Sequence, residues 1–142
     1  MSKGFIARKT ITIHAPLAAV WKGLTDPEEV KKYFFGTQQH TTWQPGTPIR
    51  FTGEWEGKPY EDKGTVLKFE PLKMLRYDYW SNWSGDADVK ENYQVITYRI
   101  APKGNSTLLT IQQSNIPTLD KKIHSAQTWG VLMKSLKELL EG

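Results

Sequence analysis

Apolar and polar positions alternate along most of this chain, and only at its end do they settle into helical spacing. Residues 5–14 are rich in β-branched side chains and alternate towards His14, which predicts a strand. Ala15-Pro16 stops it, and Pro16 suits the first turn of a short helix with Val20, Trp21 and Leu24 on one side. Asp26-Pro27-Glu28-Glu29 then offers a capping aspartate, a proline at the first helical position and acids in the first turn. The second helix is expected to run towards Phe34-Phe35 and to end at Gly36.

Strands and turns fill residues 37–115. Ile49, Phe51, Gly53 and Trp55 share one face of a strand, with Arg50, Thr52, Glu54 and Glu56 on the other. Glu56-Gly57-Lys58-Pro59 reads as a turn, and residues 64–69 as a further strand closed by Glu70-Pro71. Leu75, Tyr77 and Tyr79 alternate with Arg76 and Asp78, and residues 81–90 form a polar loop. Residues 93–100 and 107–113 pair around Lys103-Gly104-Asn105. After Pro117, Trp129, Leu132, Met133, Leu136, Leu139 and Leu140 recur every three or four residues, predicting a long amphipathic helix. Such a helix must lay its apolar face on the antiparallel sheet, so the order of elements predicts an α+β fold.

Composition narrows the function. A chain of 142 residues suits one domain, residues 1–142, and can bury a core without covalent staples. The absence of cysteine excludes a disulfide scaffold, a Cys-ligated metal and thiol catalysis. Nineteen basic residues against fifteen acidic give a net charge of +4, but the basic residues do not cluster, so no nucleic-acid partner is expected. No apolar run approaches the roughly 20 residues of a membrane span, and the N-terminus enters a strand pattern without a secretory stretch. A soluble cytoplasmic protein with no membrane partner is expected. Six Trp, six Tyr and five Phe are the more telling feature, because aromatic rings line concave sites.

The usual catalytic signatures are missing: no phosphate loop, no paired-histidine metalloprotease motif, no nucleophile elbow. His14, His40 and His124 lie far apart without ligand spacing, so no metal or cofactor is expected. Asn82-Trp83-Ser84 matches a glycosylation acceptor, which carries no weight without a secretory signal. Alternation assigns Glu54, Asp62, Arg76, Asp78, Arg99 and Gln113 to the solvent face of the sheet. For the aromatic positions, the residues alone leave two readings open: an ordinary core between helix and sheet, or a cavity with a few oriented hydrogen-bonding groups.

Three stretches carry a resemblance. Ile13-His14-Ala15-Pro16, Val20-Trp21 and Leu24-Thr25-Asp26-Pro27-Glu28 resemble the opening of the START-like superfamily, also called SRPBCC or the polyketide-cyclase/Bet v-like group. Gly64-Thr65-Val66 with Glu70-Pro71 and Leu75 is similar to its central segment, and Trp129 with Leu132, Leu136 and Leu140 to its closing helix. Within that group the chain looks most like the branch related to the C-terminal domain of the activator of heat-shock-protein-90 ATPase. One departure is Thr128 before Trp129, where family members often place glycine. The resemblance implies a helix-grip fold: a curved antiparallel sheet wrapped around a long C-terminal helix, two short helices after the first strand, and a cavity between helix and sheet.

The expected function is a small binding protein for an apolar or aromatic molecule, with Phe34, Phe51, Trp55, Tyr77, Tyr79, Tyr98, Trp129 and Met133 walling the cavity. Ligand is expected to enter between the last helix and the loops near Phe34-Phe35 and Gly57-Lys58. No catalytic residue is assigned. One alternative is a cyclase, dehydratase or hydrolase acting on a polyketide-like or aromatic substrate, with Tyr77, Tyr79 or His124 moving a proton. Another is an interaction module with a chaperone-like protein partner, which predicts a filled core.

Overall fold

Among the described residues, seven strands and three α-helices follow one another as β1 (Phe5–Ile13), α1 (Leu17–Thr25), α2 (Pro27–Tyr33), β2 (Gln38–Thr41), β3 (Pro48–Trp55), β4 (Lys58–Glu70), β5 (Met74–Ser81), β6 (Gln94–Lys103), β7 (Ser106–Ile116) and α3 (Leu119–Glu141), with one 3-10 turn at Lys90–Asn92 before β6. The computed structural model describes residues 4–142, except for the side chain of Trp55. All neighbouring strands pair antiparallel in the order β1-β7-β6-β5-β4-β3-β2, so β1 crosses over to the far edge beside β7. The curved sheet, the two short helices and the long closing helix make the expected α+β helix-grip fold. No described helix is long and apolar enough to cross a membrane.

Local chemistry accounts for the elements that differ from expectation. Helix α2 begins as expected, with the Asp26 carboxylate accepting from the Glu28 N–H at 2.9 Å, but it stops at Tyr33 rather than running to Phe35. Phe35 and Gly36 take left-handed backbone angles, φ 56° and 73°, which end a right-handed helix. Strand β4 starts at Lys58 rather than Gly64. Glu56 and Gly57 are both left-handed, φ 52° and 78°, so a two-residue turn joins β3 directly to β4 and pairing begins at Trp55 opposite Lys58. Leu67 is the extra residue of a bulge between Val66 and Lys68 and stands exposed.

Helix α3 lies in the grip with Trp129, Leu132, Met133 and Leu136 buried against the sheet. Its C-terminal turns are tied to the end of β1: Lys137 Nζ donates to the Thr12 carbonyl at 2.8 Å, and the His14 N–H donates to the Glu141 carboxylate at 2.7 Å. Helix α1 closes the same end, where Gly23 comes so near that an added Cβ would lie 3.1 Å from Leu136 Cδ1. Through the core runs a chain of touching rings. It passes from Trp21 to Phe69 (5.4 Å between centroids), Trp43 (5.5 Å) and Tyr77 (6.5 Å), then to Phe51 (5.4 Å), Phe34 (6.2 Å) and Trp129 (6.2 Å).

Candidate functional site

The concave face of the sheet changes character from its closed end to its open end. At the closed end paired rows are apolar: Leu75 faces Tyr98, which faces Ile111. One row further, Tyr77 faces Ile96, and Ile96 faces Gln113. Beyond that the rows turn polar, with Tyr79 opposite Gln94 and Asp62 opposite Ser81. Above this polar end lies the N-terminal half of α3, which contributes His124, Ser125 and Thr128.

Helix and sheet do not meet there. They leave an inner cavity of about 210 Å³ walled by Phe34, Phe51, Tyr77, Ile96, Trp129 and Leu132, with Asp62, Tyr79, Gln113 and the three helix side chains adding polar groups. It opens into a mouth of about 490 Å³, where Phe34, Asp62, His124 and Thr128 recur beside Phe35, Thr37, Tyr60, Ser81 and Trp83. Tyr60 and Trp83 touch at 5.5 Å, and the Tyr60 and Thr37 hydroxyls are hydrogen-bonded, so the rim is itself joined.

Gln113 is the polar centre of the inner wall. Its carbonyl oxygen accepts from Trp129 Nε1 at 2.7 Å, and its amide donates to the Tyr79 hydroxyl at 3.0 Å and to Gln94 Oε1. A buried amide that satisfies an indole N–H and orients a phenol in this way fixes α3 against β7 and β5 together. Arrayed behind it are Tyr77 and Tyr98, in an edge-to-face pair at 6.2 Å.

Burial dominates the titration of this site. It pushes the Asp62 carboxyl above its ordinary range, with a hydrogen bond from Ser81 pulling the other way. Burial likewise raises Tyr79, and the nearby Asp62 charge raises it further. Tyr77 is raised well above its ordinary value, first by burial and then by Tyr98, and burial pushes Tyr98 up to about 12. These phenols are therefore hydrogen-bonding groups, not phenolates, near neutral pH. Among the described residues no three His, Asp or Glu side chains converge where a cation could be held.

Of the residues expected to wall a cavity, Phe34, Phe51, Tyr77, Tyr79 and Trp129 border the inner one. Tyr98 and Met133 lie behind Trp129, beside Leu136, where packing leaves only about 10 Å³. Trp55 is on β3, and its side chain lies outside the described residues. The mouth is flanked by Phe34 and Phe35 as expected, but its opposite rim is Tyr60 and Trp83 rather than Gly57 and Lys58.

Two assignments are corrected. Gln113 and Asp62 are not on the solvent face: Gln113 is 3% exposed, and Asp62 borders both the inner cavity and the mouth. Parity was the available signal for Gln113, which continues the inward series Thr107, Leu109, Ile111 along β7. For Asp62 the signal was its place opposite inward Phe51, which depends on the β3–β4 register. Glu54 and Arg99 are exposed as expected, while Asp78 is half-buried and accepts from the Thr65 N–H at 2.8 Å. Trp83 carried no signal beyond being a large ring in a polar loop.

Residues 14–141 match the model of a protein family described as activator of Hsp90 ATPase homolog 1-like protein. Among solved structures, ChR145 from Cytophaga hutchinsonii is 37% identical, with a TM-score of 0.83 over 96% of this chain and 94% of that one. The Aha1 dimer from Colwellia psychrerythraea is 19% identical, with a TM-score of 0.75 over 96% of each chain. DynU16, from the dynemicin biosynthetic locus, is 20% identical, with a TM-score of 0.80 over 96% of this chain and 47% of that one. At such identities the last two share the fold. No curated protein matches the chain.

Proposed function

The chain belongs to the family of activator of Hsp90 ATPase homolog 1-like proteins, and from there we propose that it binds an apolar or aromatic small molecule in the cleft between α3 and the sheet. The observation that carries this reading is the inner cavity: rings on three sides, open to a mouth, with a few oriented polar groups. Beneath the N-terminal half of α3 lies this cavity, where a pure interaction module is expected to be filled. The rings of Phe34, Phe51, Tyr77 and Trp129 hold the ligand body, and Tyr98 and Met133 support the Trp129 wall from behind. Burial of apolar ligand surface drives binding at roughly 25 cal/mol per Å² before ordering costs. The Tyr79 hydroxyl and the neighbouring polar groups choose among ligands.

Native mass spectrometry of freshly purified protein, compared with its denatured mass, tests this. The expected result is a bound small molecule, or uptake of the neutral probe N-phenyl-1-naphthylamine with a rise in its emission. A bare mass together with no uptake of the probe overturns the reading and favours a protein partner.

A second reading is favoured by one observation. Asp62, Tyr79 and His124 face one space, and a carboxyl with a raised pKa is suited to proton transfer. An enzyme of cyclase, dehydratase or hydrolase type would use Asp62 as its proton carrier. It predicts turnover of an aromatic or polyketide-like substrate that is lost in Asp62→Asn.

A further inference from the structure

The charges around the cleft are sorted by the alternation of β4. Its outward residues are neutralised: Glu61 pairs with Arg50 at 2.7 Å and Lys63 with Asp88 at 2.6 Å. The inward residue between them, Asp62, has no cationic partner among the described residues. Its side-chain hydrogen bond comes from the neutral Ser81 hydroxyl. Neither the inner cavity nor the mouth is bordered by lysine or arginine. A lysine of an adjoining groove, Lys121, is already held by the Ser84 carbonyl at 3.0 Å and by Asp86 at 3.4 Å.

Asp62 also occupies a particular place. It borders the inner cavity and the mouth together, so it stands where a ligand lying along the cleft passes from one to the other. Ring systems lie on both sides of that point: Phe34, Phe51 and Tyr77 within, Tyr60 and Trp83 at the rim. Aromatic faces carry negative electrostatic potential and attract organic cations, and they offer nothing to an anion. A carboxylate removed from water is destabilised unless an opposite charge approaches it.

We infer that the cleft takes an organic amine, with an aromatic or alkyl body in the inner cavity and a protonated nitrogen against the Asp62 carboxylate at the junction with the mouth. This rests on the small-molecule reading of the site and specifies the ligand class. The bound ammonium supplies the missing counter-charge, and the surrounding rings accept its remaining N–H or C–H surface. An anionic ligand of the same shape is repelled.

The test compares three probes sharing one bicyclic body: 2-naphthylmethylamine, 2-naphthylmethanol and 2-naphthoate. Each is titrated at pH 7 into the 142-residue protein by calorimetry, with the Trp129 indole N–H resonance as a reporter of the cavity. Expected is an amine at least about tenfold tighter than the alcohol, with the carboxylate weakest. In Asp62→Asn the gap between amine and alcohol closes. An alcohol as tight as the amine, a carboxylate tighter than both, or a gap that survives Asp62→Asn overturns the amine inference while leaving the cavity reading in place. If none of the three binds, the cavity reading itself fails, and the amine inference with it. The wild-type series decides the matter even if the variant does not fold.

Discussion

Replacing Gln113 with leucine puts an apolar side chain of similar size in its place and deletes its hydrogen bonds, which tests what the amide does for the fold. Trp129 is 7% exposed, and its indole N–H loses the acceptor that now lies at 2.7 Å. An orphaned buried donor costs about 1–3 kcal/mol. Tyr79 and Gln94 border an adjoining groove and can turn to water, so each loses about 0.5 kcal/mol. The apolar surface of the leucine offsets about 1 kcal/mol of this. The net loss is about 2 kcal/mol. With an unfolding entropy of about 0.3 kcal/mol/K for 142 residues, that lowers Tm by about 7 °C. Differential scanning calorimetry reads the shift. The control is Gln112→Leu on the outer face, where the amide oxygen accepts from exposed Arg8 at 2.7 Å and its loss should stay within about 0.5 kcal/mol. Trp129→Phe completes a cycle, because removing both donor and acceptor should cost about 1 kcal/mol less than the two single losses added. Equal Tm values for Gln113→Leu and Gln112→Leu, or strict additivity in the cycle, would refute the assignment of Gln113 as the polar tie between α3 and the sheet.

Asp62→Asn should be more stable than wild type at neutral pH, because the folded-state pKa of Asp62 lies above its unfolded value and burial of the charged form is unfavourable there. That gain shrinks as pH falls through the raised pKa and disappears below the ordinary carboxylate value of 3.8, as urea titrations at a series of pH values would show. Tyr77 and Tyr79 from β5 and His124 from α3 face the same space, so only the difference between variant and wild type is diagnostic; a constant difference across the range would contradict the argument. Gly64→Ala should abolish cooperative folding, since its Cβ would sit 1.8 Å from the Asp78 carbonyl oxygen, and a normal circular-dichroism melt would count against the register. Leu72→Gly should raise stability by up to about 1 kcal/mol in urea, because Leu72 holds φ at 63° in the β4–β5 turn. Trp129→Ala should weaken uptake of a neutral hydrophobic probe far more than Lys134→Ala, which alters an exposed position on the other side of α3; equal effects would remove Trp129 from the cavity wall.

Much of the fold was readable because its signals are local. Pro16, the Asp26-Pro27 cap and the spacing of Trp129, Leu132 and Leu136 each declare an element within a few residues. What resisted reading depends on partners distant in sequence. Strand β2 is four residues of Gln, His and Thr, and it is a strand only because it pairs with residues 49–52 of β3. The aromatic walls were accessible because Phe51, Tyr77 and Trp129 declare themselves by size and parity. Asp62 and Gln113 were misplaced because polar residues in a half-apolar strand are usually outside, and a cavity is where that rule inverts. Parity alone pointed the right way for Gln113. Trp83 enters the site through a loop whose path no local pattern specifies.

The ties at the C-terminal end of α3 have a mechanical consequence. Lys137 and Glu141 clamp the helix to β1 and Trp129 ties its middle to Gln113, whereas among the described residues its first turns are hydrogen-bonded across the mouth by the partly exposed Lys121 alone. Such a helix behaves as a cantilever whose deflection grows with distance from the clamp. From Trp129 to His124 the lever arm is about 7.5 Å at about 1.5 Å per residue, so a tilt of about 5° swings the rim by about 0.7 Å. The same rotation leaves Leu132 and Leu136, which lie between the two ties, where they are. Such a tilt shifts the aperture by a fraction of a carbon–carbon bond length while the packing behind Trp129 stays as it is.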